Sequence, residues 1–396
     1  MKKLFKTIFI IILIGGFALF IFWLVNPDSI PTQNNFITKI RDFSPFGTSS
    51  QDIMENDFQN QINTQNEILP ADRELPNIEM VYSSPVGGYT IINTGTSTTV
   101  RVVDRATGHI IDINPITKER VRISNTTLPS ITEAIWFNNS NSVILRYVKD
   151  QSDLIETLLV SNLKTNGEDT VGSYLEENIT DIKPLNSSEI AYVVPQGFGS
   201  KINIYNINQN SVTTVLTSTI QEWKVVGSNK SGIYLQTKAS YTSPGYIFFL
   251  SRKDGSLIKI YSGFTGLNAL ISGNTSKIFL TTGGSNASSL ILDQDFGTTT
   301  FSETKTIASK CTYTKDSLTI YCGVSDKFPE NMPDIWYMGL TSLNDQIWSI
   351  QTDGKISFIS NLPSIDVIKP EISENNELFF INKKNGTVWI VRLNQL

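Results

Sequence analysis

The chain has 396 residues, 17% of them charged, with a net charge of −5 and one histidine. The acidic balance excludes a nucleic-acid partner, because phosphate binding needs a basic face. A single imidazole excludes a His-rich zinc site, and no nucleophile motif such as G-x-S-x-G accompanies it. His109 follows Thr107-Gly108 and reads as an ordinary turn-flanking residue.

Residues 1–27 predict a cytoplasmic tip and a transmembrane anchor. Lys2, Lys3 and Lys6 precede an uncharged run over 7–27, whose apolar core covers 8–25. A helix of that length crosses a hydrocarbon layer of about 30 Å and satisfies its own backbone in lipid. The lysines hold the N-terminus in the cytoplasm, so the rest of the chain is expected outside the cell. Phe22, Trp23, Leu24 and Val25 stand where a cleavable signal needs small residues, which favours an uncleaved, single-pass anchor in the cell membrane. Residues 28–77 are rich in Asn, Gln, Ser and Pro and read as a flexible linker. A coil of that length reaches about 40 Å. Phe36, Ile40 and the Phe43–Gly47 stretch are its one apolar exception, a short docking element or scattered aromatics in a tether.

From residue 78 one unit recurs: an apolar strand, a short polar turn and a second strand rich in Ile, Val, Tyr and Phe. Copies begin at Gly87, Glu133, Thr180, Gln221, Asn268, Lys310 and Asp366, about 40 to 56 residues apart. Each is followed by further strand material, with hairpin signals at Asn166-Gly167, Asp254-Gly255 and Asp353-Gly354. Four antiparallel strands per copy at this period predict an all-β, seven-bladed β-propeller over 78–396, with six or eight blades if one copy is miscounted. The last copy lacks an outer strand, and residues 78–82 offer a spare one. Pairing the two would close the ring and remove an exposed edge.

The copies at 182–193 and 368–380 come nearest to the P-D-G-x-x-I-A/F pattern, although the central Asp-Gly is absent. On these residues the domain resembles TolB-like and WD40-like repeat propellers, with degenerate repeats and without the Gly-His and Trp-Asp signatures. The resemblance implies architecture and no particular active site. It also implies that loops between the second and third strands of each blade line one end of the channel.

Cys311 and Cys322 fall opposite each other when residues are counted outward from a turn at Asp316-Ser317. Opposed residues lie within disulfide reach, and an extracytoplasmic compartment permits the bond. Reduced thiols packed as small apolar groups are the alternative.

Three second-to-third-strand loops look long or unusual: 195–200, 239–245 and 325–342. Phe198, Tyr241, Phe328, Asp334, Trp336 and Tyr337 on them are the candidate ligand-binding residues, and Phe328, Trp336, Tyr337 and Met338 are types favoured at recognition platforms. The alternative is that the third loop plugs the channel mouth with its aromatics. Asp326, Glu330 and Asp334 lack the alternating pattern of a calcium loop and read as a solvated acidic loop. Arg101, Arg105, Arg146 and Arg392 are the arginines available to a channel site, with Arg101 and Arg146 expected to face solvent. No catalytic residue, cofactor or metal is assigned. Two functions follow: a surface binding or scaffold module for an envelope protein, peptide or polymer, or a polysaccharide hydrolase or lyase with channel carboxylates.

Overall fold

Alternating apolar and polar residues between frequent turns fold into seven four-stranded antiparallel sheets in the computed structural model. It describes residues 77–393 apart from 96, 125–126, 150–153, 162, 164–171, 285–286, 294–298 and 303. The expected anchor over 8–25 and the linker up to residue 76 lie outside the described residues. Among the described residues no helix is long and apolar enough to cross a membrane.

The sheets are blades of a propeller, and the sequence count of seven holds. The innermost strands are Val86–Thr94, Ile131–Trp136, Asp181–Pro184, Trp223–Ser228, Asn268–Ile271, Cys311–Tyr313 and Val367–Ile372, in blades 1 to 7. In blades 1 to 6 the strands follow in chain order from the channel outward. In blade 7 the outer place is taken by Ile78–Tyr82, paired antiparallel with Val388–Arg392, so Met80 faces Trp389 and Ile78 faces Val391. Arg392 adds an ion pair to Glu79 at 2.9 Å.

The core lies between blades. Strands buried on both faces need apolar residues at successive positions, as in Ile190–Val194 of blade 3. Tyr192 and Ile190 pack on Phe137 and Ile144 of blade 2, while Ala191 and Val193 pack on Trp223 and Leu235 of blade 4. Blades 1 and 2 approach so closely that a Cβ on Gly88 would lie 2.1 Å from the Ala134 carbonyl oxygen. Only glycine fits there.

In blade 6 the register places Cys311 opposite Cys322, Cα atoms 4.1 Å apart, and their sulfurs are bonded. Two expectations are corrected. The 195–200 segment is no extended loop: Pro195 pairs with Ser200 and Gln196 with Gly199, leaving a two-residue turn at Gly197-Phe198. Gly197 supplies the positive φ of +55° that such a turn demands. Arg101 does not face solvent. It is 4% exposed, with Nε 2.6 Å from Asp112 Oδ1, Nη2 2.8 Å from Asp112 Oδ2, and Nη1 donating to the Ser140 carbonyl. Arg146 is also turned inward, onto Glu133 and the Ile179 carbonyl. Charge pairing across neighbouring strands, invisible to period-two counting, draws both guanidiniums inside.

Candidate functional site

In an up-and-down sheet successive hairpins alternate between two ends, so every second-to-third-strand turn opens at one end of the ring. That end carries the Gly197-Phe198 turn, the 238–243 loop and the 326–344 insert of blade 6. The insert leaves the sheet at Ser325 and rejoins it at Asp345, which are paired partners. Between them it forms one helical turn, Asp334–Tyr337.

The inner face of the insert is a small core. Met332, Trp336 and Leu343 are buried with Ile307, and Phe328 and Ile335 pack against them. Beneath lies Lys310, fully buried, paired with Asp345 at 2.7 Å and with Asp366. The Trp336 indole donates to Asp366 Oδ2 at 2.9 Å, as does the Leu343 amide, also at 2.9 Å. Burial pushes the Asp345 carboxyl up, against the pull of Lys310. Lys383 Nζ donates to the Trp336 carbonyl at 2.6 Å and lies 4.5 Å from the centre of its ring. The Trp336 ring is therefore a fixed anchor.

The outer face differs. Tyr337 is 47%, Met338 62% and Leu340 73% exposed. The Tyr337 hydroxyl nevertheless turns in, donating to Asn268 Oδ1 at 2.8 Å, and burial of that end pushes its pKa up to about 12. The Tyr241 amide donates to Asp334 Oδ2 at 2.6 Å, tying the insert to the blade 4 loop.

Of the six sequence candidates, the structure joins Tyr241 to Asp334 by a hydrogen bond and sets the Tyr337 ring edge-on to that of Trp336, centres 5.3 Å apart. Trp336 is buried at 3% exposure and Phe328 packs beside it, so these two form the insert's foundation and not its surface. Phe198, 96% exposed, stands at the tip of blade 3 on the same end. Among the described residues no group of three or more His, Cys, Asp or Glu side chains could hold a metal ion. Met338, named from the sequence with the insert's aromatics, is exposed, and Leu340 was missed. Its signal was present, an apolar residue three positions after the last helical residue of the insert.

The innermost strands also enclose a cavity of about 610 Å³, lined by residues of blades 3 to 7 and by Tyr337 at its mouth. Its side chains include Asp181, Lys183, Lys224, Lys238 and Lys369, none singled out by motif. Period-two spacing could have found Asp181 and Lys183, which share a face of an innermost strand. Nearby, burial would raise the Glu133 carboxyl, yet Lys369 at 2.9 Å and Arg146 at 3.0 Å hold it down at about 2. Burial raises Glu371 to about 7, and it raises the Tyr89 phenol. Tyr89 donates to the Lys369 carbonyl at 2.8 Å.

No family model and no curated protein matches the sequence. Among solved structures, the chain is similar to a Mycobacterium tuberculosis puromycin-hydrolyzing peptidase, with a TM-score of 0.52 and 11% identity over 76% of this chain and 52% of that one. It spans about half the length of that peptidase. It is similar to the β-propeller domain of Myceliophteria thermophila Cps50 (Swd1), with a TM-score of 0.51 and 8% identity over 80% and 99%. TolB from Acinetobacter baumannii superposes with a TM-score of 0.41 and 11% identity over 76% and 78%. At such identities the likeness speaks for the fold alone, and the TolB superposition is too loose to carry more.

Proposed function

We propose that the domain is a membrane-anchored binding or scaffold module outside the cell, recognising an envelope protein, peptide or polymer through the end that carries the insert. One observation carries this reading: the insert divides into a locked inner face and an exposed apolar outer face. Trp336 and its partners fix the backbone, while Tyr337, Met338 and Leu340 stand outward beside Tyr241. Apolar side chains on a pinned element lose little conformational entropy on association, which is what recognition anchors need. Retrieval of partners from solubilised membranes tests it. Met338→Ser with Leu340→Ser should reduce recovery at least tenfold and leave the melting transition in place. Equal recovery would remove the insert as the docking element.

A second reading has its own observation. Glu133 stays ionised while Glu371 titrates near neutrality, both on innermost strands. One carboxyl held ionised and another titrating near neutrality are the two states that acid–base chemistry on a polysaccharide uses. Release of oligosaccharides from an acidic polymer, abolished by Glu371→Gln, would establish it.

A further inference from the structure

The chain as a whole is acidic, yet the channel reverses the sign. Four lysines and one carboxylate line the cavity. Three of those lysines are answered: Lys224 by Asp181 at 2.9 Å, Lys238 by Glu222 at 2.6 Å, and Lys369 by Glu133 at 2.9 Å. Glu133 must also serve Arg146, so one carboxylate faces two cations there.

Lys183 has no such answer among the described residues. Its Nζ donates to the Val226 carbonyl at 2.9 Å. Asp181, two positions earlier, is already committed, with Oδ1 to Lys224 and Oδ2 to the Val225 amide at 2.7 Å. An ammonium has three donors, and a carbonyl cancels none of its charge. Burial disfavours the charged form of Lys183, offset only in part by Asp181, so an added anion would favour the ammonium there.

The backbone supplies a second, independent sign. Lys369 sits at φ +48°, in the left-handed region that non-glycine residues avoid, next to Pro370 at a break in the blade 7 register between Ile368 and Glu371. Bulges of this kind re-aim side chains and are kept near functional sites. Here the bulge accompanies an ammonium turned into the channel, reaching Glu133 two blades away. Blades 3 and 7 lie on opposite sides of a seven-membered ring, so Lys183 and Lys369 approach the cavity from opposite walls. Between them the lining includes apolar Ala269, Leu270 and Ala308. A volume of about 610 Å³ lies within the range of small-molecule sites.

We propose that this channel binds a small organic anion, a carboxylate or phosphate monoester with an apolar body, whose charged head is taken by Lys183 with Lys369 opposite. The body lies against Leu270 and Ala308, beneath Tyr337. The site shares Tyr337 with the insert but takes its ligand on the channel side, so it stands whether or not Met338 and Leu340 dock a partner.

Calorimetric titration of the detergent-solubilised full chain with benzoate and with phenyl phosphate is the direct test, with benzylamine as the cationic control. One or both anions should bind saturably, their ratio identifying the preferred head, and benzylamine should not. Lys183→Met should weaken the anion at least tenfold. Acetylation of Lys183 by an N-hydroxysuccinimide ester, read by mass spectrometry on the unmutated protein, needs no variant. Saturating anion should slow it at least fivefold. No saturable binding of either anion, unchanged affinity in Lys183→Met, or unprotected Lys183 would each overturn the site.

Discussion

Lys310 shows how one side chain can carry the placement of a whole loop. It is fully buried between Asp345 and Asp366, and Asp366 in turn holds the Trp336 indole and the Leu343 amide. Lys310→Met removes the cation and leaves two carboxylates in a fully buried site. Breaking a buried pair in this way costs about 3 to 5 kcal/mol. Urea unfolding should show that loss, and a loss below about 1 kcal/mol would mean that the triad is not load-sharing. Glu371 gives a prediction of opposite character. Its folded pKa of about 7 lies above the ordinary 4.5, so the folded state binds the extra proton. Stability from this group is full below pH 4.5 and falls as pH rises through 7, by on the order of 3 kcal/mol. Glu371→Gln should flatten that window in melts recorded between pH 4.5 and 8. Glu133 runs the other way, its contribution being lost as pH falls from 4.5 through about 2. Neither Lys310 nor Arg101 could be read correctly from sequence. A lone charge in an apolar strand looks solvent-facing until the opposing strand supplies its counter-ion. Asp366 lies 56 residues from Lys310.

At the scale of elements, hairpins were legible because their signal is local. Asp-Gly pairs, alternation and the Cys311–Cys322 count all concern residues within one blade. Loop conformation was less legible, since strand pairing extends wherever the partner strand allows. The 195–200 segment became two paired strand ends around Gly197, although its composition suggested a loop. The insert over 325–342 was recognisable by length alone, but which aromatics face inward depended on Ile307 and Lys310 at the entrance to its blade and on Asp366 of the next one. Its outer tether is testable. Asp334→Ala removes a charge-assisted hydrogen bond to the Tyr241 amide, a contact worth about 1.5 to 3 kcal/mol. Because the Trp336 anchor persists, the loss should be local. Hydrogen exchange at Tyr241 should accelerate roughly tenfold or more, with the global unfolding midpoint nearly unchanged. Unaltered exchange would mean that the blade 4 loop is held by its own turn.

For the whole molecule, closure of the ring is the decisive step. Six blades are continuous in sequence, so each can form as its residues meet, while blade 7 needs Ile78–Tyr82 from the far end of the domain. The repeat period revealed that arrangement, because a unit one strand short and a strand without a unit occur at opposite ends of one domain. Without that outer strand, Val388–Arg392 would present an unpaired edge, and apolar groups now covered by Val81 and Tyr82 would meet water. Bringing the strands together carries the entropy of closing a long loop, so this pairing is expected to form late. Deleting residues 77–82 from the full chain should therefore lower the unfolding midpoint and give concentration-dependent association through the open edge. A synthetic peptide of residues 77–84 supplied in trans should restore both, because the register with Trp389 and Val391 and the Arg392–Glu79 ion pair are carried by the strand itself. A deletion variant that stays monomeric and melts like the intact chain would show that the seven blades hold together by their lateral cores alone, and that the outer strand of blade 7 is dispensable to the ring.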